Sequence, residues 1–247
     1  MTDEIGREFM EKTQFQYLDK TDQMRGLSPP PMEIPFNETD KIIDLPDPKT
    51  VNVKPVTLRE AIENRESIRI YSGEHLTLEE LSFTLWCTQG VKDSMPGTAT
   101  FRTVPSAGAR HAFETYLLIN TVEGLQPGLY RFLALEHRLT VMNTAADIAN
   151  KILAGCMDQS FVLTSAVTFI WTAVTDRMKW RYSERGYRYL HLDAGHVCQN
   201  LYLSAEAIDC GVCAIAAFFD TILNNALGID GVKQFTIYVA ALGKKKR

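Results

Sequence analysis

Long apolar runs are missing from this 247-residue chain, and no uninterrupted stretch approaches the roughly 18 residues that a membrane span needs. Charge of one sign is missing as well. Lys and Arg number 26 against 30 Asp and Glu, a net charge of −4, which excludes a surface built throughout to hold nucleic acid by counterion release. Cysteine is sparse: five residues, odd in number and scattered, argue against a disulfide framework and for a reducing cytosol. Met1-Thr2-Asp3-Glu4 is acidic with no apolar segment behind it, so no secretion signal is expected and the expected location is cytoplasmic. Several motifs are absent too. There is no Gly-x-Gly-x-x-Gly after a strand, no Walker loop, no Gly-x-Ser-x-Gly elbow and no His-Glu-x-x-His. The usual dinucleotide cradle, phosphate loop, hydrolase nucleophile and zinc-protease helix are thereby excluded.

Apolar residues make up 45% and charged residues 23%, enough to bury a core of one large domain or two small ones. Residues 1–55 differ from the rest. They are polar and punctuated by Pro29, Pro30, Pro31, Pro35, Pro46, Pro48 and Pro55, which predicts an extended arm with short helical pieces. Phe9, Phe15, Tyr17 and Leu18 give the arm something to pack on its own domain or on a partner subunit. Residues 56–247 read as the main domain. Thr57 with Glu60 and Thr77 with Glu80 are capping boxes, predicting helices through Asn64 and through Cys87, the second closed by Gly90. Phe113–Thr121 and Leu129–Val141 read as two strands joined through Gln126-Pro127-Gly128. Ala145–Met157 reads as a helix, and the β-branched Ala166–Val174 as a buried central strand. Tyr187, Leu190, Ala194, Val197, Leu201, Ala205 and Ile208 recur at three and four, predicting one long helix that ends with Gly211 in a left-handed conformation. A short helix at 219–227 and a strand at Phe235–Leu242 complete an α+β pattern without strict βαβ alternation.

Several groups of residues could carry chemistry. Arg65, Ser67 and Arg69 share one side of an extended segment and match the oxygens of a phosphate, or they are solvated surface charge. Pro105-Ser106-Ala107-Gly108-Ala109 lets backbone amides approach a flat or anionic ligand, or is an ordinary turn. Gly211–Phe218 is small and apolar and could lay bare main-chain donors. Residues 176–189 interleave five basic side chains with Trp180, Tyr182, Tyr187 and Tyr189, as single-stranded nucleic acid surfaces do, although acids interrupt the run. His191, Asp193 and His196 do not converge on a helix at roughly 100° per residue, so no metal site is expected. Cys210-x-x-Cys213 follows a helix where redox pairs open one, and no second pair of zinc ligands matches it.

Taken in order, Arg-x-Ser-x-Arg, Pro-Ser-Ala-Gly-Ala-Arg-His, Arg-x-x-Arg-Tyr, Gly-His-Val-Cys-Gln-Asn-Leu, Gly-Val-Cys-Ala-Ile-Ala-Ala-Phe and a terminal Gly-Lys resemble the nitroreductase-like flavoproteins over residues 57–247. Within them the chain looks like the SagB-type dehydrogenase branch. The resemblance implies a central, mostly antiparallel sheet flanked by helices, an interlocked homodimer, and FMN at the subunit interface. It implies that Arg65, Ser67 and Arg69 hold the phosphate and ribityl end. Pro105, Ser106, Ala107, Gly108 and Ala109 would line the flavin from the other subunit. Ala214, Ile215, Ala216 and Ala217 replace the Pro-Ile-x-Gly of many relatives and would aim amides at the flavin edge. Lys244, or Lys246, would meet the phosphate.

The implied reaction passes hydride from NAD(P)H or an organic substrate to the flavin, with donor and acceptor using one pocket in turn, so no dinucleotide fold is needed. Azoline-oxidising members carry a Lys-Tyr pair. Here the matching place reads Arg181-Tyr182, and arginine cannot serve as a base, which leaves Tyr182 to donate or relay a proton or to act as a packing aromatic. The substrate is then a small molecule or a modified peptide. A flavin-binding module without turnover and a nucleic-acid-binding domain are the alternatives from other classes.

Overall fold

The computed structural model describes residues 4–37 and 39–246. The arm contains helix α1 (Ile5–Lys12), a 3-10 turn at Phe15–Tyr17 and strand β1 (Ile42–Asp44). Then follow α2 (Leu58–Asn64), α3 (Leu78–Gln89), β2 (Val91–Met95), β3 (Ala99–Arg102), β4 (Phe113–Ile119), β5 (Gly128–Leu133) and β6 (Arg138–Asn143). After them come α4 (Ile148–Gly155), α5 (Phe161–Thr164), β7 (Val167–Val174), α6 (Thr175–Tyr182), α7 (Gly186–Glu206), β8 (Cys210–Ile215), α8 (Asp220–Leu227) and β9 (Gln234–Lys244). No helix among the described residues is long and apolar enough to cross a membrane.

Both capping boxes form as read, each Thr hydroxyl accepting from the Glu amide and each Glu carboxylate accepting from the Thr amide. Seven strands make one sheet in the order β1-β6-β5-β4-β7-β9-β8, and every ladder in it is antiparallel. Period-two alternation sends Leu117, Ile119, Phe169, Trp171 and Val212 toward α3 and α7. Tyr116, Leu118, Ile170, Cys213 and Ile215 face α4, α5 and α8 instead. The sheet is thus covered by helices on both faces, with β4 and β7 buried in its interior.

Two readings need correction. Leu129–Val141 is two strands, because Ala134–His137 turns the chain and His137 takes φ 54° with neither Gly nor Pro to announce it. Gly211 does not end α7; Asp209 takes the positive φ of 51°, and Gly211 lies within β8 opposite Gly243. A side chain on Gly211 would strike Ile68 at 2.6 Å and one on Gly243 would strike Tyr71 at 2.8 Å, so this glycine pair makes room for residues 68–71 to cross the sheet edge. Cys210 and Cys213 sit on opposite faces of one strand and cannot pair. The β2–β3 hairpin had no alternating apolar pattern to predict it.

The basic and aromatic run 176–189 docks the arm. Arg177 Nε donates to Pro31 O at 2.7 Å, Trp180 Nε1 to Leu27 O at 2.8 Å and Arg185 Nη1 to Thr13 O at 3.0 Å. Arg185 also stacks on Phe15 with 4.3 Å to the ring centre. The deepest anchor is Glu114, only 2% exposed, which accepts from Arg177 Nη2 at 2.5 Å, Arg131 Nη1 at 3.5 Å and the Ile34 amide at 2.8 Å. Arg131 in turn donates to the carbonyls of Ile34 and Pro35. Removing the carboxylate leaves two guanidiniums buried without a counter-charge. Glu114→Ala is therefore expected to lower unfolding free energy by about 3–5 kcal/mol in urea denaturation; a loss below about 1 kcal/mol would mean the cluster is solvated.

Candidate functional site

The residues singled out in the sequence gather at two places, and α7 connects them. The first lies at the edge of β8. Ser67 bridges Val212 in parallel register, and the Ile68 amide donates to Val212 O at 2.9 Å. Tyr202, from the C-terminal part of α7, ties this edge together. Its hydroxyl meets Ser67 Oγ at 3.0 Å and accepts from the Ala214 amide at 2.9 Å, while the Arg65 guanidinium stands 5.4 Å from its ring centre. Arg69 is exposed on the same crossing segment. Among the described residues, neither Arg65 nor Arg69 has a carboxylate within 4.0 Å. Beyond Ile215 the chain leaves its ladder, and the amides of Ala216 and Ala217 have no acceptor among the described residues. Unneutralised guanidiniums, a hydroxyl and free amides make a place for an anionic, flat ligand.

Lys244 does not join them freely. Its ammonium is held by the Glu80 carboxylate and by Ile208 O, and Lys245 pairs with Glu206 at 2.6 Å. Lys246 is exposed.

The second place is the turn at 105–111. Asp193, 4% exposed on α7, accepts from Ser106 Oγ at 2.6 Å and from the Ala107 amide at 3.2 Å. Ser106 Oγ accepts from the His111 amide at 2.9 Å. Burial pushes the Asp193 carboxyl upward, against the pull of these donors. Gly108, Ala109 and His111 all take positive φ, at 58°, 53° and 42°, a concentration of backbone strain at one turn. A side chain on Gly108 would force both neighbours aside: a Cβ there would come within 2.5 Å of the Tyr182 hydroxyl and 2.8 Å of Arg181 Cδ. Tyr182 is steadied by an edge-to-face contact with Tyr189, ring centres 4.8 Å apart. A hollow of about 430 Å3 opens beside the turn, lined by Lys92, Phe101, Arg102, Ser106, Ala109 and His111.

Asp193 and Tyr202, the residues that organise the two places, escaped sequence reasoning. Nine residues apart, they lie on opposite sides of α7 and about 13 Å apart along its axis. In the sequence Asp193 stands out only beside His191 and His196, and no group of metal-ligating residues exists among the described ones. The thiols offer no reactive centre, since burial raises Cys213 and pushes Cys210 up to about 12.

The profile of the Nitroreductase family matches residues 62–244, so the chain belongs to that family, a class of flavin-dependent oxidoreductases. A Methanocaldococcus jannaschii protein that carries the nitroreductase name is 31% identical over 203 residues, 82% of this chain and 96% of that one. The trifolitoxin-processing protein TfxB of Rhizobium leguminosarum bv. trifolii is 26% identical over 195 residues, 75% of this chain and 45% of TfxB. Among solved structures, a nitroreductase-named protein of Anabaena variabilis superposes with a TM-score of 0.69 at 26% identity, covering 85% of this chain and 42% of that one. This chain thus spans less than half of TfxB and of the Anabaena protein. A Desulfovibrio desulfuricans protein of that name, solved in complex with FMN, shares the fold with a TM-score of 0.55 at 17% identity over 78% of this chain and 89% of that one.

His111 gives this turn a pH signature. Burial first, then Arg102 and Arg110, push its imidazole down to about 3. An unfolded histidine takes its proton near pH 6.5, so between about 6.5 and 3 the unfolded chain binds more protons than the folded one. The histidine's contribution is a loss of stability that grows as pH falls below about 6.5. His111→Asn, which tolerates the left-handed backbone, is expected to lose less melting temperature than the parent between pH 7 and 5. Parallel curves would show that the folded chain protonates His111 as readily as the unfolded one.

Proposed function

We propose that this chain is an FMN-dependent oxidoreductase that passes hydride between a nicotinamide cofactor or an organic substrate and the flavin, as a homodimer with residues 1–55 as its arm and 56–247 as the FMN-binding domain. One observation carries the reading: the anion-holding edge at Tyr202 and the strained turn at Asp193 face opposite ways from α7 in a single subunit. One flavin can touch both only if the turn comes from a second copy. The open surface of α7 supports this. His191, Leu192, Gly195, His196 and Gln199 are exposed and fall in one stripe, and Gly195 has nothing within 4 Å of where its Cβ would stand. A glycine within a helix costs roughly 1 kcal/mol relative to alanine, which close approach by another helix offsets. A two-fold axis through this stripe lays the Asp193 end of one helix over the Tyr202 end of the other.

In that arrangement Arg65, Ser67 and Arg69 hold the phosphate and ribityl end. The amides of Ala216 and Ala217 point to the flavin edge, where they stabilise the negative charge that builds on reduction. Ala214 supports them indirectly, its own amide being taken by Tyr202. Ser106 to Ala109 line the ring from the partner. FMN supplies the hydride chemistry; the protein orients the reactants and excludes water. Tyr182, whose hydroxyl lies close to Gly108, would donate a proton at the ring's margin. A second reading, azoline oxidation in a modified peptide, is supported by the likeness to TfxB. With Arg181 where a lysine would serve as base, Tyr182 alone would handle the proton in that reaction.

Purified protein is expected to be yellow and to release FMN at about one per chain, identified by mass; a colourless protein that takes up no added FMN overturns the reading. Gly195→Trp is expected to shift the protein from dimer to monomer in sedimentation and to lower its FMN affinity at least tenfold. A monomeric variant that keeps its flavin would refute the shared site.

A further inference from the structure

Two cations at the strained turn are left over by the flavin reading. Arg110 is half-buried. Its guanidinium lies 5.0 Å from the ring centre of Trp180, and its Nε donates to Gly108 O at 3.1 Å and Nη2 to Thr98 O at 2.7 Å. Arg181 is exposed, and its Nε stands 2.9 Å from where a Cβ on Gly108 would be. Both guanidiniums therefore crowd one residue, Gly108. Among the described residues neither has a carboxylate within 4.0 Å. Burial and the charge of Arg181 both press the Arg110 guanidinium downward. Like charges brought together without a counter-ion cost free energy in the empty protein, and an anion bound between them removes that cost. The arm fixes the geometry from behind, because Trp180, on which Arg110 stacks, is held by Leu27 O and by the Gln23 amide.

We propose that Arg110 and Arg181 form an anion-recognition subsite at the outer edge of the flavin-lining turn, taking a carboxylate or phosphate carried by the molecule that reacts there. The subsite rests on the FMN reading above and adds to it the substrate class: one of the two reactants is acidic. Two guanidiniums crowded on one residue suit an oxyanion, whereas a neutral nitroarene or quinone leaves the pair uncompensated.

The test uses the FMN-loaded protein, with perturbation of the bound flavin's absorbance as readout. Four probes are titrated into the parent and into Arg110→Gln, Arg181→Gln and Arg181→Lys: NADP+, NAD+, benzoate and benzyl alcohol. In both glutamine variants the parent's preference for the anionic member of a pair is expected to fall at least tenfold, and Arg181→Lys is expected to keep part of it. Loss confined to NADP+ over NAD+ assigns the anion to a donor phosphate. Loss confined to benzoate over benzyl alcohol assigns it to an acceptor carboxylate. The proposal is overturned if no anion perturbs the flavin, if the glutamine variants match the parent, or if they lose FMN while the parent keeps it. A parent without FMN sinks the flavin reading instead.

Discussion

Helix α7 has to satisfy three surfaces at once, and the arrangement of the site follows from that demand. Its apolar stripe, including Leu190, Ala194, Val197 and Leu201, packs into the core against the sheet. Its polar margins hold two loops from distant parts of the chain, Asp193 the turn at Ser106 and Tyr202 the crossing at Ser67. What remains, around Gly195, is open. A helix rotates every residue by roughly 100°, so positions nine apart must face opposite ways. No repacking of loops within one subunit brings the two margins to the same side. Rigid spacing along one helix therefore fixes the two margins precisely relative to each other.

The same economy of support recurs at the arm. Its prolines supply carbonyls without competing amides, and Arg131 and Arg177 collect the carbonyls of Pro31, Ile34 and Pro35 around Glu114. Buried charge is costly unless each donor and acceptor is met. Among the described residues Arg131 Nε and Arg177 Nη1 have no hydrogen-bond partner, so the cluster joins ion pairing to Glu114 with a hydrogen-bond set that is not complete. The arm's hold on α6 then reaches the site through Trp180, whose ring underlies Arg110.

What could be read beforehand was what a few neighbouring residues decide. Thr57 with Glu60, Thr77 with Glu80 and the three-and-four spacing from Tyr187 to Ile208 act within one or two turns, and those helices stand where they were read. The β-branched, nearly uncharged run Ala166–Val174 likewise reports a strand covered on both faces. Pairings over long separations left no such mark. Glu114 meets Arg177 from 63 positions away, and Ser106 meets Asp193 from 87. The run of basic and aromatic residues at 176–189 looked like a ligand surface because its true partner, the arm's main chain, offers carbonyls that no sequence pattern displays. The turn at Ala134–His137 was invisible for a different reason: an unusual backbone angle fell on histidine.

Strain and charge converge at Gly108 in a way that bears on chemistry. Left-handed backbone at three of four consecutive positions from Gly108 to His111 persists because Asp193 grips the start of the turn and buried His111 fixes its end. The resulting carbonyl of Gly108 is aimed at Arg110, while its missing side chain admits Tyr182 and Arg181. A methyl group there would displace the phenol and the second guanidinium together. One glycine thus sets the spacing between the Tyr182 hydroxyl and the Arg110 and Arg181 guanidiniums, so that the phenol and the two cations share one backbone support.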